Sequence, residues 1–291
     1  MFTSIAELVS MAKERGSSIS EVAIDEEVRR SHQTREQIWA RMAKNLQVMQ
    51  AAVARGSQGD GVFSKTGLSG GQAALLEHYR KTRTSLSGDA MLQAVEAAMA
   101  TNEVNAAMGI ICATPTAGSS GTLPGVLTVL KNRLGLDDDG LIRCLFTAGA
   151  FGLVTANKAM ISGATGGCQA EVGSASGMAA AAAVEGAGGD PDASAQAFAI
   201  AMSNLLGLVC DPVAGLVEVP CVNRNAIGTA NALIAADIAL SGGVSRIPPD
   251  EVIVAMKSIG ESMPSSLRET GIGGLAGTPT GKRFRKTVFG K

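Results

Sequence analysis

Thirty-six glycines cut this chain into short segments, and the stretches between them are alanine-rich, with no sustained alternation of β-branched residues. Thirty-six in 291 is about 12%, against a usual share of roughly 7%, and no collagen-like period accompanies it. Such glycine use demands tight turns and close backbone approaches. Helices with small side chains meet that demand, whereas strands lack the pattern they need. The sequence therefore predicts an all-α fold: a helical lead-in over residues 1–60 and one all-helical domain over 61–291, with glycine-rich loops between its helices. The length suffices for a sizeable buried core.

Ser20 is the expected N-cap of a helix running to Val28, and early acidic residues follow it. Another helix begins near Thr34 and lines up Ile38, Met42, Leu46 and Met49 at helical spacing. Residues 56–71 read as a loop or hinge. Further helices are predicted over 88–111, 123–134, 138–160, 171–185, 192–208, 224–240 and 250–259. Loops at 114–121, 163–168, 210–221 and 271–281 are the expected carriers of function.

Twenty-five Lys and Arg face 26 Asp and Glu, and the net charge of −1 leaves no electrostatic footprint for nucleic acid. One Trp, one Tyr and seven Phe provide no stacking platform for bases either. Residues 1–10 lack the basic start and apolar run of a secretory signal, and Glu7 interrupts them. The stretches 177–184 and 226–240 are too short or too broken to span a membrane. Five cysteines, an odd number, do not make a disulfide framework, so reduced thiols and a cytoplasmic location are expected.

Several motifs fail. Gly271-Ile-Gly273-Gly-Leu-Ala276 fits a dinucleotide fingerprint formally, but no strand precedes it and Pro279 follows closely. His32 and His78 are not in metal-ligand spacing, and no nucleophile elbow is present. Cys144, within Leu141-Ile-Arg-Cys-Leu-Phe146, reads as a small buried hydrophobe, and Cys112 as similar. Cys168, Cys210 and Cys221 differ. All three are expected at helix boundaries, separated by 41 and 10 residues, a spacing that matches no short zinc-finger or ferredoxin pattern. Three loop-borne thiolates point to a soft metal centre, with buried structural cysteines as the alternative. Three ligands leave a coordination position open for Lewis-acid chemistry.

Gly166-Gly-Cys168-Gln-Ala-Glu-Val-Gly173 and Gly207-Leu-Val-Cys210-Asp-Pro-Val-Ala-Gly-Leu-Val-Glu-Val-Pro-Cys221 strongly resemble the alpha chain of bacterial iron–sulfur L-serine dehydratases. So do Asn102-Glu-Val-Asn105, Pro115-Thr-Ala-Gly-Ser-Ser-Gly121 and Leu267-Arg-Glu-Thr-Gly-Ile-Gly-Gly274. The resemblance covers essentially the whole chain. It implies that Cys168, Cys210 and Cys221 hold a 4Fe-4S cluster, and that L-serine is converted to pyruvate and ammonia without pyridoxal phosphate. It also implies a separate beta subunit, which carries a Ser-rich motif with a histidine that this sequence lacks and which completes the site. An oligomer is expected.

For the α-proton base, His78 and Lys158 are the candidates in this chain. Thr116, Ser119, Ser120 and Gly121, just ahead of a helix, are expected to grip the substrate carboxylate, with Asn223 and Arg224 after Cys221 as further contacts. Asn105 and Arg268 are weaker candidates, and Glu171 and Glu218 read equally well as helix-terminal charges. Some relatives end in a cysteine that reaches the open iron. Here the last residues are Thr287-Val-Phe-Gly-Lys291, so the fourth ligand is expected to be solvent, substrate or a partner group, and activity is expected to be sensitive to air. Three alternatives remain: an iron–sulfur L-cysteine desulfidase, a non-enzymatic helical zinc-binding subunit, and pyridoxal-phosphate chemistry at Lys158, which has no phosphate-cradling loop around it.

Overall fold

A computed structural model describes residues 2–290. Among them are thirteen α-helices and no strand, and two isolated bridges, Phe63 with Gly70 and Cys210 with Arg268, are the only β pairing. The all-α expectation is met. In chain order the helices are α1 (Ile5–Glu14), α2 (Ile19–Ser31), α3 (Arg35–Ser57), α4 (Gln72–Thr82), α5 (Asp89–Ala106), α6 (Thr122–Leu134) and α7 (Asp138–Lys158). After them come the single turn α8 (Gly163–Gly166), then α9 (Ser174–Gly186), α10 (Pro191–Asn204), α11 (Cys221–Leu240), α12 (Pro249–Ser262) and α13 (Pro279–Phe289).

At the centre lies α9, which packs against α6, α7, α10 and α11. Its residues from Ser174 to Val184 are all buried, so it has no solvent face and no amphipathic stripe to read. Small side chains make that placement feasible. A Cβ on Gly177 would stand 2.8 Å from Phe198 Cδ2, and one on Gly152 would stand 2.8 Å from Met178 Cε. Backbones approach there as closely as glycine allows.

The first helices are built differently. Ile5, Leu8, Ile19, Val22 and Ile24 are completely buried, and they join the same apolar cluster as α7 and α9. Asp250, at the start of α12, accepts from the backbone N–H groups of Ile5 and Ala6 at 3.0 Å each, tying the N-terminus of α1 to the far end of the chain.

Helix ends depart from expectation where caps were misread. Ser18, not Ser20, caps α2, while Ser20, the second residue of the helix, is completely buried. Thr34 does cap α3, through a full capping box with Gln37. The helix predicted to reach residue 111 stops at Ala106, because Met108 turns into the left-handed region (φ 62°). Cys112 consequently sits in a loop, half-buried. Helix α4 carries His78, and its N-cap Gly71 offers no side chain. The capping group comes instead from α5: Glu103 accepts from Gln72 N at 2.8 Å and Ala73 N at 3.4 Å. By length and composition α7 is long and apolar enough to cross a membrane, yet 67% of its apolar window is buried inside the protein.

Candidate active site

Three thiols converge from separate segments. Cys168 immediately precedes a π-helical turn, Gln169–Gly173, that leads into α9; such turns recur at functional sites. Gln169 anchors the turn, donating to the Gly166 and Met256 carbonyls at 2.9 Å each. Cys221 is the first residue of α11, where the helix dipole favours negative charge. Cys210 is not at a helix boundary as expected. It lies in the short extended bridge, where its N–H donates to the Leu267 carbonyl at 2.9 Å and its carbonyl accepts from Glu269 N at 2.7 Å.

All three thiols are buried, at 3%, 3% and 8% exposure in chain order. Burial pushes Cys168 up to about 11, with the Arg224 guanidinium pulling the other way. Cys210 is pushed up by burial and then by the Glu171 carboxylate, and Cys221 by burial and then by Cys168. The sulfurs thus lie within each other's electrostatic reach. A low-dielectric pocket tolerates three thiolates together only around a cationic group, because a coordinating thiol gives up its proton outright. Their softness suits iron–sulfur or zinc chemistry. No three His, Cys, Asp or Glu side chains among the described residues are grouped as ligands of one metal ion.

Arg224 spans the centre. It donates to the Val209 carbonyl and to Asp211 Oδ1, both at 2.7 Å, and Asp211 Oδ2 accepts from Leu275 N at 2.7 Å. This chain of bonds fixes the two ends of the 210–221 loop to each other and to the 271–281 segment. The neighbouring Asn223 is exposed.

The 114–121 loop closes the other side. Thr116 Oγ1 donates to Glu171 Oε1 at 2.8 Å, and Glu171 Oε2 stands 3.9 Å from Cys210 Sγ. Burial raises the Glu171 carboxyl, and Thr116 opposes that shift. Glycines crowd this carboxylate: a Cβ at Gly163 would lie 2.7 Å from Oε2 and 2.8 Å from Cys210 Sγ, and one at Gly118 would lie 3.3 Å from both oxygens.

Ser119 and Ser120 are completely buried within the loop. Ser119 Oγ donates to the Thr114 carbonyl at 2.9 Å, and Ser120 Oγ donates to Asn102 Oδ1 at 3.4 Å. The N–H of Gly121, expected to grip a ligand, donates to Asn225 Oδ1 at 3.1 Å, as does that of Thr122 at 3.0 Å. Asn225 Nδ2 in turn donates to the Gly118 and Cys221 carbonyls at 2.7 and 3.0 Å. Asn225 is thus the hub that joins the loop to the Cys221 helix. Sequence reading missed it, although its place one helical turn after Cys221 was a signal. Asn105 supports the same loop from α5, donating to the Ala117 carbonyl at 3.3 Å.

The two proposed bases are not brought here. His78 lies exposed on α4, and its carbonyl accepts from Thr82 Oγ1. Lys158 Nζ pairs with Asp250 Oδ1 at 2.9 Å, at the junction of α7 and α12. Glu218 is a buried acceptor rather than a helix-terminal charge. Its carboxylate takes hydrogen bonds from Thr66 Oγ1 at 2.8 and 3.0 Å and from Ser69 Oγ at 2.8 Å.

Fold and site together define an all-helical protein organised around three buried thiols and a glycine-rich loop. The family model described as "Serine dehydratase alpha chain" matches residues 14–276, and this chain belongs to that family. The chain is 60% identical over 290 residues to the "Probable L-serine dehydratase, alpha chain" of Bacillus subtilis (strain 168), covering 100% of this chain and 96% of that one. To the "L-serine dehydratase, alpha chain" of Peptoniphilus asaccharolyticus it is 42% identical, covering 98% of each. The "L-serine dehydratase 1" of Escherichia coli (strain K12) is 38% identical over 94% of this chain, which spans 61% of that longer protein.

Proposed function

We propose that this chain is the alpha subunit of an L-serine dehydratase, forming pyruvate and ammonia, and that Cys168, Cys210 and Cys221 hold a 4Fe-4S cluster. The observation that carries this reading is the meeting of three buried thiols beside the 114–121 loop. When bound, such a cluster supplies Lewis acidity toward the departing hydroxide. The chain's own groups do the rest. Arg224 offsets the charge gathered on Cys168 and Cys221. Asn225 holds the loop against the Cys221 helix, so that substrate meets a preformed wall. Loss of the α-proton and hydroxide leaves aminoacrylate, which tautomerises to an imine and is hydrolysed by water to pyruvate and ammonia.

A beta subunit completes the site and supplies the α-proton base. The exposed position of His78 and the Lys158–Asp250 pair support this division, as does the 61% span of the longer Escherichia coli relative. An apolar stripe of Ile227, Ile234 and Ile238 on α11 supports association with another chain. All five cysteines are free thiols, which supports a reducing, cytoplasmic setting.

The test is iron and acid-labile sulfide per chain after anaerobic reconstitution, together with pyruvate production from L-serine. About four of each per chain is expected, lost when Cys168, Cys210 or Cys221 becomes Ser. Zinc in place of iron, with no turnover, would refute the reading. Pyruvate production by the isolated chain at the rate of the two-subunit mixture would remove the partner from it.

A further inference from the structure

Glu171 and Arg268 both adjoin Cys210, the first through its carboxylate and the second through its backbone, and neither has an ion-pair partner among the described residues. Glu171 is 9% exposed, its Oε2 stands 3.9 Å from Cys210 Sγ, and its one short hydrogen bond comes from the neutral Thr116 hydroxyl. No Lys or Arg among the described residues forms an ion pair with it. The backbone of Arg268 forms the parallel bridge with Cys210. Its Nε is buried with no hydrogen-bond partner among the described residues, and its guanidinium forms no ion pair there.

Elsewhere in the centre Arg224 has Asp211 at 2.7 Å, and Asp211 also takes the Leu275 N–H, while the Glu269 carboxylate adds a further negative charge that acts on Glu171 and Cys210. An uncompensated buried charge is costly, and a matched pair of opposite ones is what a zwitterion neutralises. We infer that Glu171 receives the α-ammonium of the substrate and Arg268 its carboxylate, which makes this pair the selector for free α-amino acids. The inference rests on the dehydratase reading and extends it to recognition. Glycine at 118 and 163 leaves the Glu171 carboxylate the room it occupies between the loop and the thiol.

Competition by two fragments of serine tests this on the reconstituted protein with its partner chain. Ethanolamine keeps the ammonium and lacks the carboxylate; 3-hydroxypropionate is the reverse. In Glu171→Gln, KM for L-serine and the ethanolamine inhibition constant are each expected to rise about 10- to 100-fold. The constant for 3-hydroxypropionate should stay within about twofold. Arg268→Gln should give the mirror pattern. Iron content and calorimetric binding of both fragments are read alongside, so a collapsed centre registers as lost iron. If Glu171→Gln does not fold, Glu171→Asp carries the test, with a smaller loss confined to the amine-bearing ligands. Equal weakening of both fragments, or of neither, in protein that keeps its iron and turns over L-serine overturns the inference alone. A cluster-loaded wild-type protein that neither binds nor converts L-serine overturns the dehydratase reading beneath it.

Discussion

The N-terminal helices and the central helices are buried by opposite means. In α1 and α2, large side chains such as Ile5, Leu8 and Ile24 fill space between helices, while ion pairs such as Arg30–Glu27 decorate the exposed faces. In α9 and the start of α11, alanine and glycine remove side chains so that backbones and loops touch, and the polar contacts are buried and directional. The first arrangement tolerates repacking, because apolar contact is non-directional. The second holds a loop and three thiols in fixed relation, and it tolerates neither added volume nor a lost hydrogen bond.

Substitutions break this contrast in a definite order. Asn225→Ala strands the Gly121 and Thr122 N–H groups and the Gly118 carbonyl, and should cost about 4 kcal/mol. Urea unfolding reads that loss, and L-serine turnover should fall with it. Leu8→Ala should cost about 3 kcal/mol as a cavity among apolar neighbours, while iron content and KM stay at wild-type levels. At the centre the sensitive direction reverses: Ala181→Leu should cost about 2 kcal/mol through overpacking, visible as a lower Tm.

Glu103 sharpens the comparison through pH. Burial raises its carboxyl above the ordinary 4.5, and the backbone hydrogen bonds from Gln72 and Ala73 oppose that shift. The folded state therefore binds this proton more tightly than the unfolded chain, and the associated stability is lost as pH rises through the raised value. Unfolding free energies between about pH 4.5 and 7 should decline less with rising pH in Glu103→Gln than in wild type. Smallest of all, Arg30→Ala on exposed α2 should change stability by no more than about 0.5 kcal/mol.

The helical class was legible because helical spacing and local caps such as Thr34 and Gln37 are written in adjacent residues. The start of helix α4 was not, since its cap is Glu103 on another helix, a tertiary contact that no local pattern encodes. The three cysteines could be singled out by position and by family resemblance, and the structure brings them together. Their place before a helix predicts that Ser119, Ser120 and Gly121 face a ligand, yet their polar groups turn inward to Thr114, Asn102 and Asn225. A glycine–serine loop looks the same in sequence whether its donors face a ligand or its own scaffold. His78 and Lys158 attracted attention through chemical type alone, and only three-dimensional placement separates them from the thiols.

Glu218 lies three residues before Cys221 and is held by hydroxyls from the 58–71 loop. Order in the cysteine loop and order in that remote loop are therefore parts of one local folding equilibrium. Whatever binds and fixes the thiols should also shield residues near Thr66 from proteases, so that a cut about a hundred and fifty residues upstream in the chain reports on the occupancy of the centre.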